Sequence, residues 1–405
     1  MTAQPLFKIP QPTTDMRGVA AIVGLGETDF HADYQAARAK AEDYEAPTTE
    51  GLATLAFERA LADSGLKRSD IDGVSVNYLY GGPTAAETAQ MLGLTPRHVI
   101  DKGGICAGPI PVASAAIAEG ECDTIALIFS VATRSIGRKF GGQLYGDGAP
   151  SSYYYHHPWG WSSQAAHWAL IWQHYRLTYG ASEADLGAVA VQLRQNALNN
   201  TNAVMQTPLS IEKYLASRYV VNPLHLFDLC LVNDGAVCLI LRRSDMAKDL
   251  PHVPVLVGGW GEARVTANKL HMLVRERLRP QFQAAGAQAL AMAGVTLADV
   301  QHFEGYDAST IHLINHIEGH GFVAPGEGLE FCKSGGMARD GKLPVNMAGG
   351  ILSGSYMHGW NHVAEVTRQL RHEAGARQVQ DVQVSMFSLA QTDMVHPIVF
   401  TRGGQ

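Results

Sequence analysis

The chain repeats itself. Ala60-Leu61-Ala62-Asp63-Ser64-Gly65-Leu66-Lys67-Arg68-Ser69-Asp70-Ile71 returns as Ala289-Leu290-Ala291-Met292-Ala293-Gly294-Val295-Thr296-Leu297-Ala298-Asp299-Val300. In both copies a helix ends at Gly, a short turn carries Asp, and a β-branched residue begins a strand. A second pair follows in the same order. Gly103-Gly104-Ile105 leads into a small-residue helix and a strand at Thr124 to Ser130, and Gly349-Gly350-Ile351 leads into a helix and a strand at Val382 to Leu389. Two matches in one order predict a duplicated α/β unit, with halves at 18–250 and 251–405 and a helix-covered sheet in each. A chain of 405 residues is too long for one simple core and suits two such halves.

Within the first half, Ala20 to Gly26 is an apolar run that reads as a buried strand. Its Gly24-Leu25-Gly26 lacks the third glycine and the helix opening of a dinucleotide-binding turn. A capped helix is predicted from Thr48-Thr49-Glu50 to Ser64-Gly65, followed by a strand at Ile71 to Val76. An insertion at about 135–178 is rich in aromatics, Tyr153, Tyr154, Tyr155, Trp159, Trp168 and Trp172 among them, with a helix from Ser163 onward. It reads equally as a lid or oligomer contact and as the wall of a pocket for a large apolar ligand.

Composition excludes several classes. The net charge of −7 argues against a general nucleic-acid binder, which needs a basic face. No uncharged apolar run of about 18 residues occurs, so no membrane span is expected. Met1 to Met16 lacks a basic-then-apolar signal pattern, so a cytoplasmic location is expected. Five cysteines, an odd number without C-x-x-C spacing, indicate neither a disulfide framework nor a zinc site.

The candidate active site is the stretch from Pro344 to Trp360, read with Glu304-Gly305-Tyr306-Asp307. Glycine-rich backbone that ends in Tyr356 and His358 and runs into an amphipathic helix brings polar side chains and bare N–H groups to one point. His312, His316 and His320 share a helical face; without a His-Glu-x-x-His motif they read as a polar face or interface, and no metal is expected. Arg275, Arg277 and Arg279 form a basic cluster, either a solvated face or a contact for coenzyme A phosphates. Cys106 at a helix opening keeps a thiolate mechanism open, although Pro109 and Pro111 follow at once; Cys332 reads as packing.

In its order of motifs the chain resembles the thiolase superfamily, in the sterol-carrier-protein and lipid-transfer-protein-like branch. The residues that carry the resemblance are Ala21-Ile22-Val23-Gly24, Gly180-Ala181-Ser182, Asn233-Asp234-Gly235-Ala236 and the Asn-x-x-Gly-Gly stretch from Asn346. It implies a five-layered α/β/α/β/α thiolase fold that dimerises. The departures narrow it further. Gly103 stands where thiolases have the nucleophilic Cys, Tyr306 and Tyr356 stand where they have two histidines, and no Cys follows residue 332. Such replacements resemble the steroid side-chain-degrading aldolases, whose two tyrosines are held to be the acid/base pair.

That resemblance implies a retro-aldolase cleaving a β-hydroxyacyl-CoA, with coenzyme A present as part of the substrate and no covalently bound cofactor. The products are a ketone or aldehyde and acetyl-CoA or propionyl-CoA. It also implies a homodimer that joins a separate zinc-ribbon and OB-fold partner in a heterotetramer. The cleavage needs a base for the β-hydroxyl proton and donors for the thioester enolate, but no acyl-enzyme. A phenol ionises at about pH 10, so a tyrosine base needs a nearby cation, helix N-terminus or donor. His358 is the candidate helper for Tyr356, and Gly103, Gly104, Gly349 and Gly350 are candidate enolate donors. Asp307, His312 and Asn346 are secondary candidates beside Cys106. The alternatives are a thiolase or acyltransferase working through Cys106 and a non-catalytic lipid or acyl-CoA carrier.

Overall fold

The computed structural model describes residues 9–79, 81–101, 108–137, 159, 161, 163–264, 279–391 and 394–404. Gly103, Gly104, Cys106, Arg275, Arg277 and most of the aromatic insertion lie outside them.

The elements that position the site are, in the first half, β1 (Ala20–Glu27), α1 (Thr49–Ser64), β2 (Gly73–Tyr78), β3 (His98–Ile100), α2 (Pro109–Ala118), β4 (Thr124–Ala132), α3 (Gln164–Tyr179), α4 (Glu183–Ala197) and β5 (Asp234–Arg243). In the second half they are β6 (Val255–Trp260), α5 (Arg279–Ala293), β7 (His302–Gly305), α6 (Thr310–His320), α7 (Trp360–Arg371), β8 (Val384–Gln391) and β9 (Met394–Arg402). Strands β2 and β8 each begin two residues later than their sequence patterns predict, because the preceding turns extend into them.

The two sheets have one plan. In the first, β3, β2 and β4 run parallel, β5 pairs antiparallel with β4, and β1 closes the order antiparallel to β5. In the second, β7 and β8 run parallel, β9 pairs antiparallel with β8, and β6 pairs antiparallel with β9. They meet edge to edge where Ala21 and Ile22 of β1 face Leu256 and Val255 of β6.

The repeat is visible in detail. After α1 the Lys67 N–H donates to Asp70 Oδ2 at 2.8 Å, and after α5 the Thr296 N–H donates to Asp299 Oδ2 at 2.7 Å. The Gly24-Leu25-Gly26 pattern also has its counterpart, Gly259-Trp260-Gly261. A side chain at Gly24 or Gly26 would strike the carbonyls of Ala60 and Ala56 on α1; one at Gly259 or Gly261 would strike those of Ala289 and Ala285 on α5. These glycines let a helix lie flat on a strand, which gives the G-x-G a packing role in both copies.

Burial sorts these elements into five layers. One apolar cluster joins α1 residues Ala53, Ala56, Phe57 and Ala60 to the outer face of the first sheet through Ala21, Val23, Ala126 and Ile240. The inner faces of both sheets, Ile22, Leu127 and Leu239 on one side and Val257, Phe387 and Ile398 on the other, enclose α2 and α7. The far face of the second sheet, through Met386 and Val399, carries α5 and α6. Both faces of each sheet are therefore covered, as strands apolar on successive residues require. Each large apolar side chain so buried contributes about 1.5–3 kcal/mol.

Two expectations change here. The sequence of α7 reads as amphipathic, yet every residue of it except Arg368 is buried, so its polar groups need internal partners. Likewise His312, His316 and His320 do not form a solvated face or an interface, because all of α6 is buried. His316 Nδ1 and His320 Nε2 lie 3.1 and 2.7 Å from the Ser388 hydroxyl. Burial holds the imidazoles of His312 and His320 down to about 3 and that of His316 well below the usual histidine range, so all three are neutral.

Candidate active site

The site forms where the carboxyl end of β7 meets the turn before α7. Parallel pairing with β8 ends at Gly305↔Ser388, and the Tyr306 N–H then donates to the Ser388 carbonyl at 2.9 Å. This frees Tyr306 and Asp307 from the sheet at the end where open α/β sheets carry their sites. Asn346 fixes the neighbouring backbone. Its carboxamide oxygen accepts the Gly305 N–H at 2.8 Å and its Nδ2 donates to the Gly305 carbonyl at 2.9 Å. One bond at each end of that amide is made to Gly305, so Asn346 orders the strand end.

Asp307 holds the glycine-rich turn. Its carboxylate accepts the Ile351 N–H at 2.9 and 3.1 Å and the Leu352 N–H at 3.2 Å. Gly350 has φ of 58°, and a side chain there would collide with that carboxylate. The Gly349 N–H, expected as an enolate donor, donates instead to the Asn346 carbonyl at 2.9 Å. The turn delivers Tyr356, whose N–H donates to Asn233 Oδ1 at 2.8 Å; Asn233 is fully buried just before β5. The first half thus sets the position of a second-half tyrosine.

Both tyrosines and His358 converge. The His358 ring stands 6.0 Å from the Tyr306 ring and 6.2 Å from the Tyr356 ring, between centroids. It also stacks on Phe129 of β4 at 6.1 Å, a second link between the halves. Burial alone holds His358 down to about 4, so it is a neutral donor or acceptor and not a cation beside Tyr356. The Tyr306 ring meets His312 edge-on at 5.8 Å, and Trp168 of α3 stacks on His312 at 4.0 Å. One aromatic of the insertion's helix therefore backs the site, while Trp172 and Tyr175 are core.

Beneath Tyr306 lies a buried ion cluster. His362 Nδ1 is 2.6 Å from Glu304 Oε2, and Nε2 is 3.0 Å from Asp307 Oδ1. Glu304 also accepts the Met347 N–H at 2.9 Å and lies 3.1 Å from His302 Nε2. Burial opposes charge on His362, but the carboxylates of Asp307 and Glu304 outweigh it and raise the imidazole to about 9. Burial likewise opposes charge on Glu304, and hydrogen bonds from His302 and His362 outweigh it and lower its carboxyl. Among the described residues no group of three or more His, Cys, Asp or Glu could hold a metal ion.

Residues 265–394 match the thiolase C-terminal domain-like family. The steroid side-chain-cleaving aldolase of Thermomonospora curvata is 32% identical over 87% of this chain and 90% of its own. The 17-hydroxy-3-oxo-4-pregnene-20-carboxyl-CoA lyase of Mycobacterium tuberculosis is 32% identical over 88% of this chain and 92% of its own. The chain belongs to the thiolase superfamily, in the branch of the steroid side-chain-cleaving aldolases. The solved Ltp2–ChsH2(DUF35) aldolase superposes with a TM-score of 0.83 at 28% identity, over 96% of this chain and 99% of that one. Human mitochondrial 3-ketoacyl-CoA thiolase, at 16% identity and a TM-score of 0.66 over 96% and 100%, shares the thiolase fold.

For a member of this branch, sequence reasoning named the two tyrosines, Asp307 and His358, and the fold brings all four together. It passed over His362, Asn233 and the role of Glu304. His362 had a signal: it stands four residues after His358, at the start of a helix whose sequence hid its full burial. Asn233 had none beyond its place in a motif, because its partner is 123 residues away.

Proposed function

We propose that this carbon–carbon lyase of acyl-CoA thioesters performs a retro-aldol cleavage of a β-hydroxyacyl-CoA with a bulky, steroid-like acyl group. Tyr306 and Tyr356 form the acid/base pair. One tyrosine, as its phenolate, takes the proton of the β-hydroxyl as the substrate's Cβ–O bond becomes a carbonyl. The Cα–Cβ bond breaks, its electron pair passes to the thioester enolate, and a proton from the other phenol completes the shorter acyl-CoA, acetyl-CoA or propionyl-CoA. Neutral His358, within 6.2 Å of each ring between centroids, returns the proton from the first tyrosine to the second and so resets the pair. No acyl-enzyme forms, so no cysteine nucleophile is required.

The observation that carries this reading is that each tyrosine ring stands within 6.2 Å of the same neutral imidazole, between centroids, in a chain of the aldolase branch. The partner is read by extension. The name of the solved aldolase joins Ltp2 to ChsH2(DUF35), and we extend that to a separate zinc-ribbon and OB-fold protein for this chain. The halves at 18–250 and 251–405, a homodimer within a heterotetramer and a cytoplasmic location belong to the same reading. Among the described residues no helix is long and apolar enough to cross a membrane.

The deciding experiment incubates the purified chain, with and without the partner, with a β-hydroxyacyl-CoA. Release of a ketone or aldehyde with a shorter acyl-CoA is the expected result. Coenzyme A-dependent cleavage of a β-ketoacyl-CoA would install the thiolase instead, and binding without turnover the carrier.

A further inference from the structure

We infer that His362 is a positioning residue of the retro-aldol site, which clamps Glu304 and Asp307 on either side of Tyr306 and, through Asp307, locks the turn that delivers Tyr356. The inference rests on the proposed tyrosine chemistry and assigns that chemistry its mechanical support.

The geometry runs through one ring. Glu304, Tyr306 and Asp307 lie within four consecutive positions at the end of β7. His362, in the first turn of α7, hydrogen-bonds Glu304 through Nδ1 at 2.6 Å and meets Asp307 through Nε2 as an ion contact at 3.0 Å, off hydrogen-bond alignment. All three side chains are fully excluded from solvent. Each carboxylate then continues to the backbone of the 346–354 turn. Glu304 takes the Met347 N–H, and Asp307 takes those of Ile351 and Leu352. Between these anchor points and α7 lie Tyr356 and His358. The His362 ring stands 6.4 Å from the Tyr306 ring between centroids, and both of its nitrogens face carboxylates, so its contact with the site runs through the strand end that carries Tyr306.

Two carboxylates a few residues apart in a water-free interior repel each other strongly. A protonated imidazole between them converts that repulsion into a clamp. Among the described residues, the rings against Tyr306, those of His312 and His358, are neutral, and His302 adds a second imidazole 3.1 Å from Glu304. A site whose reacting groups must be held to within a fraction of an ångström depends on such a support.

Isosteric amides separate the two contacts, since the Asn amide nitrogen replaces Nδ1, towards Glu304, and that of Gln replaces Nε2, towards Asp307. The parent, His362→Ala, His362→Asn and His362→Gln are compared as the complex with the partner. His362→Ala is expected to lower kcat roughly 100-fold with KM for the acyl-CoA within about threefold, and His362→Gln to recover about tenfold of that loss where His362→Asn does not. A crystal structure of His362→Ala is expected to show Tyr306 and the 349–352 turn displaced. Where that variant does not fold, Glu304→Gln serves for the same split. A folded His362→Ala with kcat within threefold of the parent, or with the ring and turn in place, overturns the inference and leaves the aldolase reading intact. No cleavage by the parent sinks both.

Discussion

The imidazole of His358 meets the ring of Tyr306 edge-on, at 80° and 6.0 Å between centroids. Burial keeps this imidazole neutral, with its titration moved down to about 4. A catalytic histidine at its ordinary value would bend the pH–rate profile near pH 6.5. Here the profile of kcat should run through pH 5.5–8 without an inflection that disappears in His358→Asn, a replacement that tolerates the local φ of 51°. An inflection near 6.5 in the parent, lost in that variant, would contradict the assigned neutrality.

Removing either phenol oxygen should be severe. Tyr306→Phe and Tyr356→Phe are each expected to lower kcat by about 100-fold or more, the usual worth of a positioned acid or base. Cys106→Ala should leave aldol cleavage within a few-fold of the parent. Steady-state assays of released acyl-CoA test both statements, and the opposite pattern would return the mechanism to the thiol.

Gly350 is replaceable by nothing larger. Its positive φ and its contact with Asp307 act together, so Gly350→Ala should lower unfolding free energy by about 1–3 kcal/mol. It should reduce turnover as well, by shifting the turn off the Asp307 carboxylate. Urea unfolding beside activity checks this, and wild-type values for both would show that the turn has slack.

Stability should fall on both sides of a maximum near pH 6.5. His312 and His320 at about 3, His358 at about 4 and His316 well down refuse protons when folded. Below about pH 6.5 the unfolded chain takes protons that the folded one does not, and stability drops. His362, raised to about 9, acts in the other direction. Its contribution is complete below about 6.5 and is lost as pH climbs through 9. Thermal melts at pH 5, 6.5 and 9.5 measure this, and His362→Gln should flatten the alkaline side.

Sequence and structure divide this protein at a recognisable place. The duplication was legible because each half repeats a local unit, helix, left-handed glycine, Asp-bearing turn and strand, whose signals lie within a dozen residues. The tyrosines were legible because they replace residues of a known motif at fixed spacing from Gly349 and Gly350. The charge of the site was not. His358 and His362 look alike in the chain, four residues apart, one in the turn before α7 and one in its first turn, and only packing makes one neutral and the other a cation.

By itself, then, the sequence determined a doubled α/β scaffold, its family and the two positions at which tyrosines replace that family's histidines, since periodicity, turn chemistry and motif spacing are properties of neighbouring residues. The tertiary structure decided that α6 and α7 are buried on all sides, that Asn346 and Gly349 serve the backbone, and that Glu304 and Asp307 grip His362. Those outcomes depend on solvent exclusion and on partners dozens of residues away, such as Asn233 beneath Tyr356, and neither quantity is written in any local stretch of the chain.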